Sequence, residues 1–558
     1  MTMFGKKEQE KENPKYVFVV GGVISGVGKG ITASSVGKIM QDRGKVVTAI
    51  KIDPYINIDA GTMNPTEHGE CFVLDDGDET DQDMGNYERF LNVDLTRTNY
   101  MTTGRVYQSV IEDERAGKYQ GKCVEVVPHI PMEVIRRIEA ARIKADASLV
   151  VIEVGGTIGE YQNMLFLEAA RMMKLKHPKD VAVVMVSYLP VPSKVGEMKT
   201  KPTQHAARLL NASGLQADII IARSTHVLDE RRKEKLSLFC NVPSSRIISA
   251  PDVDSIYDIP DNFEKEGFSD MLCELLYTKC STEKTEGSMK WDAFIRRAHA
   301  PVGEVKIAVI GKYFDTGDFV LSDSYISVIE AIRHATNNFS RKPVLTWINS
   351  VHYETNPEKL AELSEFDGII VPGGFGSRGV EGIISAIQYA REKKIPYLGL
   401  CYGMQLAVIE FARNVAGIAG ATTREMNPDA EHLIITVMES QKDTLAEGKI
   451  GGTMRLGACD AYIGKDTIAR RAYGSESVSE RHRHRYEVNL EYVDTLEKAG
   501  LVFSGKSPDG RLMEIAELPE SDHPFFLGTQ FHPEFKSRPL APHKLFLAFT
   551  EACIKNKK

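Results

Sequence analysis

Two segments of this chain combine residue types and spacings that could do chemistry. Near the start, Gly21-Gly22-Val23-Ile24-Ser25-Gly26-Val27-Gly28-Lys29-Gly30 joins an apolar run to a helical pattern. A strand-to-helix turn of this kind aims backbone N–H groups and a helix N-terminus at one point, which suits phosphate. Lys29 would add a mobile cation there, although Gly30 stands where a strict P-loop has Ser or Thr. Far along the chain, Gly399-Leu400-Cys401-Tyr402-Gly403 has the glycine-flanked form of a nucleophile elbow. A helix starting near Tyr402 would favour the thiolate and offer an N–H to an oxyanion. The plainer readings are a glycine-rich turn without ligand and a buried structural cysteine.

Each site needs supporting groups. For the thiol, His532 in Thr529-Gln530-Phe531-His532-Pro533-Glu534 is a candidate base, with Glu534 to orient its ring. Pro372-Gly373-Gly374-Phe375-Gly376 could supply a further oxyanion donor. For the phosphates, Lys51 closes the run Ile50-Lys51-Ile52 and could make a second contact. A bound nucleotide also needs one or two carboxylates to share Mg²⁺ with phosphate and water. Glu153, ending Leu149-Val150-Val151-Ile152, is well placed because ligands bind beyond the carboxyl ends of such strands. Asp83 lies in the acidic run 75–83, and spacing alone does not separate a metal ligand from a solvated face.

The elements that must position these residues alternate. Strand-like runs at 16–20, 46–52, 147–154, 181–189 and 217–222 are separated by helical patterns, 31–42 among them. That alternation predicts a doubly wound parallel sheet. Cys280 to Ser288 is a polar linker, 289–298 a bridging helix, and a second series of strands occupies 305–311, 368–371, 397–400 and 526–531. Length alone would allow about three or four domains. The pattern resolves into a tail (1–15), an α/β domain (16–280), a linker with its helix (281–303) and a second α/β domain (304–558).

Bulk properties exclude several classes. The chain has 558 residues, 42% hydrophobic and 26% charged, as an ordinary globular protein does. No apolar run approaches the roughly 18 residues of a membrane span, and the first fifteen residues contain no signal-peptide core. A net charge of −8 argues against general nucleic-acid binding. The eight cysteines lack CxxC spacing, so neither a zinc site nor a disulfide framework is expected, and a reduced cytoplasmic protein is the simplest reading.

PGGFG, GLCYGMQ and FHPE resemble a class I (triad) glutamine amidotransferase, and GGVISGVGKG, KIDPYINIDAGTM, HGE, EVGGTIGE, GEMKTKPTQH and FCNVP resemble the CTP synthase family. The similarity runs from about Tyr16 to the C-terminus. It implies a P-loop-type (dethiobiotin-synthetase-like) doubly wound domain followed by an α/β amidotransferase domain. The implied reaction has two steps: MgATP phosphorylates UTP at O4, and ammonia from glutamine displaces the phosphate to give CTP.

Site residues follow from the same resemblance. Ser25, Gly26, Val27, Gly28, Lys29, Gly30, Lys51 and Asp83 would bind ATP, with Asp83 and Glu153 on Mg²⁺. Ser25, Lys199, Thr200, Lys201, Pro202, Thr203, Gln204, Lys235 and Phe239 would bind UTP, and Glu160, Tyr161, Gln162 and Glu168 would lie at the CTP feedback pocket. Cys401 would be the nucleophile, His532 the base and Glu534 its orienter. Gly374, Tyr402, Gly403, Met404, Gln405, Glu425 and Arg485 would position glutamine, and Arg378 and Arg455 would bind GTP as allosteric activator. The family also implies a homotetramer, possible filaments, and no nucleic-acid or membrane partner. The basic run Arg481-His482-Arg483-His484-Arg485-Tyr486 then falls in the glutaminase cleft instead of forming a nucleic-acid patch.

Two positions depart from the family pattern. Tyr402 stands where leucine is expected, and Gln162 where some members are acidic, which bears on CTP feedback. Two other readings are another glutamine-dependent ATP ligase and an assembling P-loop ATPase with a degenerate glutaminase domain.

Overall fold

The computed structural model describes residues 12–22, 24–194, 196–312, 322–438, 441 and 451–557. Val23 of the glycine-rich loop and residues 1–11 of the expected tail lie outside the described residues. The chain divides into two compact units. The first comprises 1–58, 86–93 and 97–289, and the second 59–85, 94–96 and 290–558.

The first unit is built on seven parallel strands: β1 (Lys15–Gly21), β2 (Val47–Asp53), β3 (Tyr100–Thr102), β4 (Leu149–Val154), β5 (Val181–Tyr188), β6 (Ile219–Ser224) and β7 (Ile247–Pro251). Their order across the sheet is β3-β2-β4-β1-β5-β6-β7. Helices cover both faces, so the central strands read as continuous apolar runs, and all seven residues of β1 are buried. Phe18, Ile50, Ile152, Val183 and Met185 share one core. Helix α1 (Lys29–Asp42) starts directly after Gly28, whose φ of +87° is a conformation glycine adopts without a Cβ penalty.

The second unit carries a nine-stranded mixed sheet: β8 (Glu304–Gly311), β9 (Lys342–Asn349), β10 (Gly368–Val371), β11 (Tyr397–Leu400), β12 (Arg455–Ile463), β13 (Ser477–His484), β14 (Val502–Lys506), β15 (Met513–Glu517) and β16 (Phe526–Thr529). The order is β9-β8-β10-β11-β16-β15-β14-β12-β13. The first five in that order pair in parallel, and the remaining pairings are antiparallel. Alternate residues of the parallel strands serve opposite layers: Ile369 and Val371 join the core of Met404 and Phe526, whereas Ile370 and Leu400 join that of Phe531 and Phe549.

Segment 59–85 belongs to this second unit. Its short antiparallel pair, Phe72–Val73 with Glu79–Thr80, turns at Gly77 (φ +82°). A Cβ on Gly457 of β12 would fall 2.6 Å from the Gly77 nitrogen, so glycine is what permits this approach.

The cysteine expectation needs one correction, because Cys273 and Cys280 form a disulfide. The helix Phe268–Leu275 ends just before Tyr277, whose φ of +48° turns the chain back, and the two Cα atoms come within 6.4 Å. Cys71, Cys123, Cys240, Cys401, Cys459 and Cys553 are free. Among the described residues no helix is long and apolar enough to cross a membrane.

Candidate active sites

In the first unit, the turn from β1 into α1 presents Ser25 and Gly26 at the surface, with Val27, Lys29 and Gly30 buried behind them. Lys29 folds back over the loop: a Cβ on Gly21 would meet its side chain at 2.7 Å. Arg223, at the end of β6, closes the other side. Its guanidinium donates to the Val27 carbonyl (3.3 Å) and pairs with Asp252 (2.6 Å). These groups border a cavity of about 300 Å³ walled by Ile31, Pro251, Val253 and Phe263. A cationic loop beside an apolar slot suits the phosphates and base of a nucleotide. Arg223 and the slot were missed in the sequence, although Arg223 lies in the last residues of a strand as Lys51 does.

Lys51 and Glu153 are register neighbours on β2 and β4. The ammonium sits 3.0 Å from the Glu153 carboxylate and 3.7 Å from Asp53, and the Tyr87 hydroxyl donates to the other Glu153 oxygen. Asp83 opens the helix Asp83–Leu91, in the segment that packs with the second unit. Among the described residues, no group of three or more His, Cys, Asp or Glu side chains could hold a metal ion.

The expected uridine-nucleotide residues occupy loops and helix starts of the first unit. Lys201, Lys235 and Phe239 are exposed, and Lys199 is half-buried. Lys199 pairs with Glu197 at 2.5 Å. Thr200 and Gln204 bond each other across the first turn of the helix Lys201–Ala212, which Pro202 helps start, and Thr203 accepts from Ser187. Glu160 receives the Thr157 N–H and hydroxyl and the Gln162 amide, Tyr161 projects outward at 92% exposure, and Glu168 pairs with Arg171.

In the second unit, Cys401 bridges β11 and the helix Tyr402–Asn414 with φ +50° and ψ −96°. A non-glycine residue held there is strained, as an elbow nucleophile is. The flanking glycines have steric reasons. A Cβ on Gly399 would lie 2.7 Å from the Gly403 carbonyl carbon, and one on Gly403 would lie 2.2 Å from the Val371 oxygen. His532 Nδ1 is 2.7 Å from Glu534, and its Nε2 makes no ordinary hydrogen bond while sharing a cavity with the thiol. Burial alone would lower the imidazole pKa, but Glu534 and the Cys401 sulfur outweigh it and push it up to about 10. The resting imidazole is therefore protonated beside the Cys401 sulfur.

Gly373 and Gly374 line the same cavity, with Cys71, Glu70 and Pro65 on its other wall. Cys71 is no rival nucleophile: burial pushes its thiol up to about 12. Gln530, missed in the sequence although it stands two residues before His532, donates to Cys401 Sγ at 3.5 Å. The amide of Gln405 donates to Gln530 and to the Tyr486 carbonyl. Met404 is packed in the core, Arg485 bonds Gln441, Arg378 is exposed, and Arg455 pairs with buried Glu514.

The basic run is a strand. Arg481 and Arg483 pair with Asp75 and Glu79 of segment 59–85, while His482 and His484 lie toward Glu514 and Arg455. This two-residue alternation turns an apparent cationic patch into two neutralised faces.

A glycine-rich loop at the end of a parallel strand, in one chain with a buried Cys-His-Glu arrangement, is what a glutamine-dependent amidoligase requires. Residues 15–278 match the family described as CTP synthase N-terminus, and residues 320–552 match glutamine amidotransferase class-I. The chain is 50% identical over 547 residues to the CTP synthase of Pyrococcus furiosus, covering 98% of each chain. It is 48% identical over 546 residues to that of Carboxydothermus hydrogenoformans, covering 98% of this chain and 99% of the relative. The solved glutaminase domain of Trypanosoma brucei CTPS with bound acivicin is 39% identical, with a TM-score of 0.41, over 46% of this chain and 95% of that one. The chain belongs to the CTP synthase family.

Proposed function

We infer that the two units carry successive halves of glutamine-dependent CTP synthesis, a ligase reaction forming a C–N bond in pyrimidine nucleotide biosynthesis. The observation that carries this is the phosphate loop and the intact triad in one chain that matches such synthases along almost its whole length.

At the triad, the Cys401 thiolate adds to the γ-amide carbon of glutamine, and the electron pair moves to oxygen. Backbone donors of Gly374 and Tyr402 would hold that oxyanion. The His532 imidazolium gives its proton to nitrogen, the C–N bond breaks and ammonia leaves a thioester. Neutral His532 then takes a proton from water, whose oxygen attacks the thioester and releases glutamate and the thiolate. Glutamine would be held by Gly374, Tyr402, Gly403, Met404, Gln405, Glu425 and Arg485.

In the first unit, Ser25 to Gly30 and Lys51 would hold the ATP phosphates, with the adenosine in the slot beside Arg223 and Phe263. Asp83 and Glu153 are our candidates for Mg²⁺. The donor chemistry fits, since hard carboxylate oxygens suit an ion that also takes phosphate and water. Mg²⁺ would neutralise charge developing on the transferred phosphoryl group. UTP, held by Lys199 to Gln204, Lys235 and Phe239, gains a phosphate at O4, turning a poor leaving group into a good one. Ammonia then displaces it. Free ammonia in neutral water would mostly become non-nucleophilic ammonium, which favours making it in the chain that consumes it.

We extend the proposal to CTP feedback near Glu160 to Gln162 and Glu168, GTP activation near Arg378 and Arg455, a homotetramer able to stack into filaments, and a cytoplasmic location. The test is CTP formation from UTP, MgATP and glutamine with GTP present. Cys401→Ala should lose synthesis from glutamine and keep synthesis from ammonium. No CTP from wild type refutes the activity, and loss of both nitrogen sources in the variant refutes the division of labour.

A further inference from the structure

The loop 372–379 carries the glycines of the oxyanion site and has little of its own to keep it in place. It is rich in glycine, and Gly376 and Gly379 have φ of +81° and +72°. Such a segment samples many conformations unless its surroundings fix it. Oxyanion donors work only when held to within about half an ångström of their geometry. Here Gly373 is so close to the catalytic pair that a Cβ would fall 2.9 Å from His532 Cε1 and 3.9 Å from Cys401 Cβ.

What fixes the loop is a clamp on Gly376. From one side, Glu425 accepts the Gly376 N–H at 2.8 Å. From the other, the Tyr402 hydroxyl donates to the Gly376 carbonyl at 2.9 Å. The Lys312 ammonium, just beyond β8, donates to that same carbonyl, to the Phe375 carbonyl (3.4 Å) and to the Tyr402 hydroxyl (3.2 Å). It also lies 4.4 Å from the centre of the Tyr402 ring, an attractive cation–π distance. Tyr402 is 3% exposed and directly follows the nucleophile, so one residue ties the elbow to the oxyanion loop.

We propose that Tyr402 and Lys312 are positioning residues of the glutaminase, pinning the Gly376 carbonyl so that the Gly373–Gly374 backbone is already set for the oxyanion. This rests on the glutaminase reading above. Tyr402 then has two separable parts: its backbone N–H serves the oxyanion directly, and its hydroxyl serves through Gly376. The clamp acts on the transition state and not on the nucleophile or on glutamine affinity.

The experiment uses the full-length wild type, Tyr402→Phe and Lys312→Met. It compares kcat and KM for glutamine hydrolysis, the rate of Cys401 alkylation by iodoacetamide (which needs the thiolate but no oxyanion site), and CTP synthesis from ammonium. Each variant should lose ~10-fold in kcat, less than the 10²–10³ of deleting a donor outright. KM, alkylation and ammonium-driven synthesis should stay within about 2-fold, and the double variant should fall by less than the product of the singles because both act on one carbonyl. Unchanged kcat, a rise in KM alone, or alkylation falling in parallel with kcat would each overturn the proposal. A wild type that does not hydrolyse glutamine would instead refute the glutaminase assignment.

Discussion

The phosphate loop of the first unit and the thiol elbow of the second are both turns beyond the carboxyl ends of parallel strands, yet they are finished differently. Ser25, Gly26, Lys201 and Lys235 stand exposed, and the loop offers mainly backbone and mobile cations. Cys401, His532 and Glu534 are 6%, 8% and 3% exposed and already paired or strained into place. The substrates explain the contrast. Nucleotides bring their own charge and metal, so their site can remain open until they arrive. A neutral amide brings no charge, so the charges that cleave it must be built into the protein.

If that contrast holds, the sites should fail differently. Lys29→Ala should cost about 10³-fold in CTP synthesis from glutamine and from ammonium alike, since it removes the cation proposed to face the phosphates. The iodoacetamide reactivity of Cys401 should not change. A selective loss with one nitrogen source would blur the distinction between the sites.

Glu534→Gln should lower glutamine hydrolysis by about 10²-fold, leaving ammonium-driven synthesis intact. With that carboxylate gone, the His532 pKa drops from about 10 toward 6.5, and the alkaline fall of the glutaminase pH profile moves to lower pH. The sign for stability follows the same raised pKa: the pairing contributes fully below pH 6.5 and fades as pH rises through about 10. An unmoved profile would separate His532 from Glu534.

Gly403→Ala should be the mildest for the phosphate site and act through folding. Its Cβ would lie 2.2 Å from the Val371 oxygen, and relieving that overlap should cost about 2–3 kcal/mol. Thermal unfolding of the second unit should shift down, with ammonium-driven synthesis retained below that transition.

Much of this was legible because buried parallel strands announce themselves. The runs at 16–20, 149–152 and 397–400 are apolar, stop at Gly21, Glu153 and Cys401, and appear as β1, β4 and β11. The candidate nucleophile Cys401 followed from glycines whose steric need is now visible at Gly399 and Gly403, and the candidates His532 and Glu534 from their place after a strand-like run. The antiparallel half of the second sheet was not legible. β13 is rich in polar residues, β12 mixes Arg455 and Asp460 with small and apolar ones, and the partners that neutralise Arg481 and Arg483 lie about 400 residues earlier, at Asp75 and Glu79. No local pattern carries a pairing of that range. Lys312 escaped for a simpler reason: nothing in its neighbourhood marks the carbonyl it holds, although its place beyond β8 follows the rule that singled out Lys51.

Nitrogen freed in the second unit should be the nitrogen installed in the first. The most direct test supplies UTP, MgATP, GTP and glutamine labelled with ¹⁵N in the amide, in a buffer containing unlabelled ammonium. ¹⁵N should appear in the exocyclic amino group of CTP, enriched well above its share of the free ammonium pool. CTP carrying only the pool's isotope ratio, or glutamate released without CTP, would contradict it.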